Sequence, residues 1–264
     1  MLKQRILTAL VLAPIALLAL FVLPQTWFIW VLAAVFIYGG LEWANLCRLS
    51  VPGTALLLAA LGGLMWGLLA VPELAQLAVW LAVAFWCFAL LLVLAYPRTA
   101  SWSGMPQRVL FGFLVLVPAW YAMLDLRAGE SGLTMLLMLL MLVWGADVGA
   151  YAAGKSMGRN KLLPAVSPGK TREGLWGGLL TCVLIGIGFS VWLELPLSSG
   201  IKLCVLALLT GLASVLGDLL ESMLKRERGI KDSGRLLPGH GGVLDRIDSL
   251  TAAAPVFAVG LTLI

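Results

Sequence analysis

Charge is scarce in this sequence. Only 12% of its 264 residues are Asp, Glu, Lys or Arg, against the roughly 25% of ordinary soluble domains, which excludes a water-facing globular fold. Histidine occurs once, as His240, and the four cysteines, Cys47, Cys87, Cys182 and Cys204, form no C-x-x-C pair and have no histidine nearby. The nitrogen and sulfur ligands of a zinc site are therefore missing, and each cysteine reads as a small packed hydrophobe. Period-2 alternation is absent from the apolar runs as well, and the runs are too long for the strands of a membrane barrel.

What the chain has instead is apolar length. Hydrophobic residues make up 61% of it, the mean hydropathy is +1.02, and uncharged runs recur from Ile6 to the C-terminus. A helix needs about 20 such residues to cross a hydrocarbon core roughly 30 Å thick. The expected fold is all-α, a polytopic integral membrane bundle of about nine helices, with spans near 6–23, 27–45, 54–71, 74–95, 109–126, 132–153, 174–193, 201–224 and 247–264. Met1–Arg5 and the run behind it resemble a signal peptide, but no small-x-small cleavage site precedes a soluble domain, so this reads as a retained first span.

Placing the N-terminus in the cytoplasm puts every one of the 18 Lys and Arg except Arg127 and Lys202 on the cytoplasmic side, the bias of the positive-inside rule. Gaining or losing one upstream span would scramble it, so the expected topology is N-terminus in and C-terminus out. The net charge of +5 is thus accounted for by cations segregated beside the spans, facing membrane lipids with no nucleic-acid partner. Residues 1–131 read as a scaffold of five spans in which Glu42, Glu73, Trp27, Trp30, Trp43, Trp80 and Trp102 serve as anchors and packing. Residues 132–264 hold every conspicuous polar cluster and read as the catalytic region.

Four segments there invite a chemical reading. Asp147 lies about two turns inside the sixth span, where an ionised carboxylate faces a cavity, a partner or a metal; hydrogen bonding within the bundle is the plainer alternative. Gly145 and Gly149, four residues apart, suggest close helix packing. Gly149-x-x-x-x-Gly154-Lys155-Ser156 fits the Walker A pattern, but it closes a membrane helix where a P-loop must follow a strand, so the match is accidental. Ser167-Pro-Gly-Lys-Thr-Arg-Glu-Gly174 places a Pro168-Gly169 turn, Lys170, Arg172 and two hydroxyls before a helix N-terminus. That suits a triphosphate pocket or, equally, a capped helix start with topogenic charges.

The fourth segment runs from Gly217 to Asp248. Asp218, Glu221, Ser222 and Lys225 fall at i, i+3, i+4 and i+7, a polar stripe on an apolar helix that must face protein, ion or water. A glycine-rich basic loop follows, with Lys225, Arg226, Arg228, Lys231 and Arg235, and then Asp245 and Asp248 open the last span. Hard oxygen ligands beside phosphate-binding cations suit Mg²⁺ carrying a nucleotide triphosphate. A lipid-headgroup patch would explain the cations but not the three aspartates.

From Ser222-Met-Leu-Lys225-Arg226 through Lys231-Asp232-Ser-Gly234 to Leu237-Pro-Gly-His240-Gly-Gly242-Val-Leu-Asp245-Arg246-Ile-Asp248, these 27 residues resemble the signature of the phosphatidate cytidylyltransferases, also called CDP-diacylglycerol synthases. Trp144–Tyr151 and Ser167–Gly174 resemble that family too. The resemblance implies a membrane nucleotidyltransferase of phospholipid synthesis that joins CTP and phosphatidic acid into CDP-diacylglycerol and pyrophosphate, in the bacterial inner membrane with its site facing the cytoplasm. It also implies Mg²⁺, with room for a second cation, held by Asp218, Asp245, Asp248 and Asp147. Lys225, Arg226, Lys231 and Arg246 would hold phosphates of either substrate. Ser167, Lys170, Thr171, Ser222 and His240 would bind substrate, His240 through a phosphate hydrogen bond or by holding the glycine turn.

The rivals are a CTP-dependent kinase of isoprenoid alcohols and an ion-coupled transporter. A transporter would place acids at mid-bilayer within an inverted repeat, and neither is visible. A CDP-alcohol phosphotransferase lacks its D-G-x-x-A-R motif here. Glycines within the spans permit a homodimer without specifying one.

Overall fold

The computed structural model describes residues 14–98, 104–237, 239 and 241–264. Among them are nine helices: α1 (described from 14 to 22), α2 Gln25–Leu46, α3 Val51–Ala70, α4 Pro72–Ala95, α5 Met105–Ala128, α6 Gly132–Met157, α7 Arg172–Trp192, α8 Leu197–Arg228 and α9 Leu244–Leu261. A two-stranded antiparallel hairpin, β1 Lys161–Leu163 and β2 Ser167–Thr171, joins α6 to α7. The all-helical expectation holds, and α2 to α8 are seven helices long and apolar enough to cross a membrane. The start of the first expected span and Trp102 lie outside the described residues.

Local sequence sets the helix ends. Proline stands in the first turn of α3, α4 and α5, where its missing N–H would have no helical partner in any case. Gly229 closes α8 at φ 78° with Lys225, Arg226 and Arg228 in the last turn, a left-handed stop and a cationic end that suit the helix dipole. The centre of the bundle is α5 against α9: Leu116, Ala119, Ala122, Ala252, Ala253, Ala254 and Phe257 have no measurable exposure. By contrast α3 buries little of its surface and sits at the edge.

The tightest helix pair is α6 with α7, and glycine is the reason. A Cβ on Gly178 would fall 2.7 Å from the Ala146 carbonyl oxygen, and one on Gly149 would fall 2.7 Å from that of Gly177 and closer still to the Thr181 hydroxyl. The expected close packing at Gly145 and Gly149 is therefore real. Gly149→Val is expected to cost about 1–3 kcal/mol by overpacking, read as a lower unfolding midpoint of the purified chain. Gly63→Ala in α3, where an added Cβ meets nothing within 4 Å, leaves the midpoint unchanged or raises it; equal midpoints for the two variants would refute this account of the seam.

Three local expectations are corrected. Pro168 and Gly169 do not form the turn: they lie within β2, and the chain reverses at Pro164–Val166, where the Val166 N–H donates to the Leu163 carbonyl at 3.1 Å. A two-stranded hairpin has only edges, so a proline without an N–H is tolerated there. Trp43 is no interfacial anchor, being 1% exposed, with its indole N–H donating to the Arg108 carbonyl at 2.8 Å. Cys87 is exposed on α4, whereas Cys47 and Cys182 are buried as expected. The Walker-like segment is helical throughout, and the Ser156 hydroxyl donates back to the Ala152 carbonyl at 2.8 Å.

Candidate functional site

The C-terminal half of α6, the hairpin, the start of α7, the end of α8 and the start of α9 meet at one end of the bundle. Between them lies a cavity of about 400 Å³ walled by Asp147, Ala150, Tyr151, Gly154 and Lys155 from α6, by Leu162, Gly169, Lys170 and Thr171 from the hairpin, by Gly174 and Leu175 from α7, and by Val215 and Asp218 from α8. That size suits a small-molecule ligand. Glycine again sets the wall spacing: a Cβ on Gly174 would lie 2.9 Å from the Ala150 carbonyl oxygen. The Thr171 hydroxyl oxygen accepts from the Gly174 N–H at 3.1 Å and caps α7. Glu173 accepts from the backbone of Arg159 and Asn160 and from the Asn160 side chain, at 2.7 Å for the last, so both ends of the hairpin are pinned.

Lys170 reaches across this cavity to Asp218, Nζ to Oδ2 at 2.8 Å, while Asp218 Oδ1 accepts from the Ser222 hydroxyl at 3.0 Å. Desolvation pulls the Lys170 ammonium toward neutrality, but the charge and hydrogen bond of Asp218, with help from Asp147 and Asp248, outweigh it and hold the amine above the ordinary lysine range. Lys170 is therefore a firmly charged cation among three carboxylates.

Behind the cavity lies a buried ionic cluster. Lys225 Nζ donates to Asp245 Oδ1 at 2.6 Å and lies 3.4 Å from Glu221 Oε1. Asp245 Oδ2 is met by the Ser233 N–H and hydroxyl, each at 2.9 Å, and by the Gly242 N–H at 2.7 Å. Lys225 and Asp245 are each 8% exposed. Lys225 is thus committed to internal carboxylates and not turned toward an incoming phosphate, and the oxygens of Asp245 are engaged by donors of its own loop.

The other expected residues are dispersed more widely. Arg226 is exposed, with its Nε–H donating to the Val166 carbonyl at 3.3 Å, which ties the hairpin to α8. Lys231 and Arg246 are exposed, and the charge of Arg246 is felt at Asp147. Ser167 sits in β2 away from the cavity wall, and His240 lies outside the described residues. Asp248 accepts from the Ser249 N–H at 2.7 Å and stands within reach of the Glu221 carboxyl.

Among the described residues, no three His, Cys, Asp or Glu side chains converge as a ready metal cage. The donors nearest to that role are the two Glu221 oxygens, buried without a hydrogen bond, beside Asp248. Glu221 was visible only as part of the α8 stripe, and one contributor carried no signal at all: Glu42 of α2, 5% exposed. Its Oε2 accepts from the Leu244 N–H at 2.7 Å and the Ser233 hydroxyl at 2.9 Å, and its Oε1 from the Val243 N–H at 3.1 Å.

A model of the Cytidylyltransferase family matches residues 3–264. The phosphatidate cytidylyltransferase of Pseudomonas aeruginosa is 45% identical over 98% of this chain and 96% of its own. That of Haemophilus influenzae is 42% identical over 98% of each, and that of Bacillus subtilis 34% identical over 96% of this chain and 95% of its own.

Proposed function

The chain belongs to the cytidylyltransferase family, and from that premise we propose that it transfers CMP from CTP to phosphatidic acid, releasing pyrophosphate and forming CDP-diacylglycerol. It is a nucleotidyltransferase of membrane lipid synthesis. The observation that carries the reading is the cavity at the bundle end, where Lys170 from the hairpin, paired with Asp218, and Lys155 from α6 share one wall with Asp147 beside the capped start of α7. A triphosphate needs cations, and Lys170 and Lys155 supply them at the cavity wall; the first amides of α7 are already taken by the Asn160 carbonyl and the Thr171 hydroxyl, which leaves the anion to the side chains.

In the reaction, a phosphate oxygen of phosphatidate attacks the α-phosphorus of CTP in line, the bond from that phosphorus to the β-phosphate bridging oxygen breaks, and pyrophosphate departs with the electron pair. No strong base is required, because a phosphomonoester is mostly ionised near pH 7. The work left to the protein is to bring two anions together and spread the charge of the leaving group. Lys170 and Lys155 serve the triphosphate, and the exposed Lys231 and Arg246 serve phosphate oxygens at the rim.

The donor set fits Mg²⁺: hard oxygens of Glu221, Asp248 and Asp218, the Glu221 pair buried and lacking a hydrogen bond. Mg²⁺ takes one or two carboxylates and completes its shell with phosphate oxygens and water, so the lack of a three-ligand cage is no obstacle. Held there by these carboxylates, Mg²⁺ would supply positive charge against the phosphate charge that develops. Asp147 supports the same field from α6, while Asp245 acts through Lys225 and its loop.

The site faces the cytoplasm of the bacterial inner membrane, in a nine-span bundle with its N-terminus inside. The ends of the helices sort in support of this. Arg108 at the start of α5 reaches the Leu46 carbonyl and Glu227, and Arg228 reaches the Asn45 carbonyl, whereas Arg127 at the other end of α5 reaches the Leu23 carbonyl.

Purified protein supplied with phosphatidate, Mg²⁺ and CTP labelled at the α- or the γ-phosphate tests the reaction. The expected outcome is α-label in the lipid product and γ-label in pyrophosphate. Finding γ-label in the lipid would make the protein a kinase and overturn the proposal.

A further inference from the structure

α9 begins without a local cap. Val243 occupies its N-cap position and offers no side-chain hydrogen bond, although the first amides of a helix need acceptors. The acceptor comes instead from α2, about 200 residues earlier in the chain: Glu42 takes the N–H of Val243 on one oxygen and that of Leu244 on the other. The anion also sits where the α9 dipole favours negative charge. Space for it is made by two glycines, since a Cβ on Gly234 or Gly242 would collide with the Glu42 carboxyl.

The same carboxylate is joined to the ionic cluster through one hydroxyl. Ser233 Oγ lies 2.9 Å from Glu42 Oε2 and 2.9 Å from Asp245 Oδ2. A hydroxyl has one proton to donate, so it serves one carboxylate at a time while the Ser233 N–H stays with Asp245. Glu42 does not line the cavity and touches no reacting group. Its bonds, however, fix the loop before α9 and the turn from which Asp245 and Asp248 project.

We infer that Glu42 is a positioning residue, a carboxylate lent by the N-terminal half of the chain that caps α9 and sets the placement of Asp245 and Asp248. In catalysis this role rests on the cytidylyl-transfer reading above. A glutamine in its place has nearly the same shape but one acceptor oxygen, and its NH₂ group would face either the Val243 N–H or the Leu244 and Ser233 donors. Loss of acceptance can thus be separated from loss of volume.

The test uses the full-length purified chain as wild type, Glu42→Gln, Ser233→Ala and the double variant. Hydrogen exchange at the Val243 and Leu244 amides is measured beside kcat, KM for CTP and the unfolding midpoint. Glu42→Gln is expected to speed exchange at those amides at least tenfold and to lower kcat tenfold or more, with KM for CTP within threefold. Ser233→Ala, which keeps both cap bonds, lowers kcat about threefold with little change in exchange, and the double variant falls less than the two losses multiplied. Unchanged exchange in Glu42→Gln overturns the cap, and a kcat within twofold of wild type, or a loss matching only the fraction unfolded, overturns the positioning role. Should Glu42→Gln not fold, Ser233→Ala decides, and an unchanged kcat there overturns the role. A wild type that puts no α-label into lipid would sink the reaction instead, and exchange alone would then judge the clamp.

Discussion

Lys170→Met is expected to lower kcat/KM for CTP about 10²–10³-fold, the loss seen when one preorganised electrostatic group is removed from a site of developing charge. Lys170 is the cation most firmly held in the cavity, its ammonium 2.8 Å from Asp218 and under the influence of Asp147 and Asp248. Methionine keeps most of the apolar stem and deletes only the charge. An arginine there restores charge but not the point-like geometry, so recovery should be partial. The pH profile separates charge from shape. Because the folded-state pKa of Lys170 is raised, its charge and its ion pair are complete at neutral pH and are lost only as pH climbs past that raised value. Wild type should therefore show no loss traceable to Lys170 between pH 7 and 9, and the ratio of wild-type to Lys170→Met rates should be flat across that window. Initial rates against CTP concentration settle the point: a variant retaining more than half of wild-type kcat/KM would remove Lys170 from the phosphate site.

Lys170 shows how far local sequence reaches. A cation two residues after a proline and just before a helix start suited a triphosphate pocket and a capped helix start equally, and the structure places Lys170 on the cavity wall while Thr171 caps α7. The α8 stripe was legible for a periodic reason: Asp218 and Ser222 are a turn apart and hydrogen-bonded, and Glu221 and Lys225, also a turn apart, form an ion pair. Gly145 and Gly149 announced a close helix contact, because small residues four apart let backbones approach, but not that its partner would be α7.

What was hidden was long-range pairing. Glu42 near the end of a span looked like an anchor because all of its partners lie 191 or more residues away, and no local pattern encodes such a contact. The division of the chain into scaffold and catalytic parts placed it with the scaffold for that reason. Lys225 is a mixed case. Its place on the α8 stripe beside Glu221 was legible, but its second partner, Asp245, lies 20 residues on, and no local pattern says that the three will be buried together. Arg226, the immediate neighbour of Lys225, is turned about 100° around the helix and is exposed. The Pro168-Gly169 turn failed because the composition of a turn was read without knowing where the strands end.

Asp245→Asn should abolish CDP-lipid formation and lower stability by about 3–5 kcal/mol, the cost of breaking a buried ion pair by removing one partner. The pair is short, 2.6 Å, and nearly inaccessible to water, and asparagine would present an amide to the three donors that now converge on one carboxylate oxygen. Lys225→Met should be comparably damaging, because it leaves Asp245 and Glu221 buried together without their shared cation. Combining the two changes removes charges of opposite sign at once, so the double variant should be more stable than the sum of the single losses allows, a coupling on the order of 1–3 kcal/mol. Activity should not return with it, since the loop still lacks the carboxylate that gathers Ser233 and Gly242. Unfolding midpoints in detergent and label transfer from α-labelled CTP, measured on the same four preparations, separate the two quantities. Additive stability losses would mean that Lys225 and Asp245 are not partners. Recovery of activity in the double variant would mean that their pairing, rather than the loop it organises, is what the reaction needs.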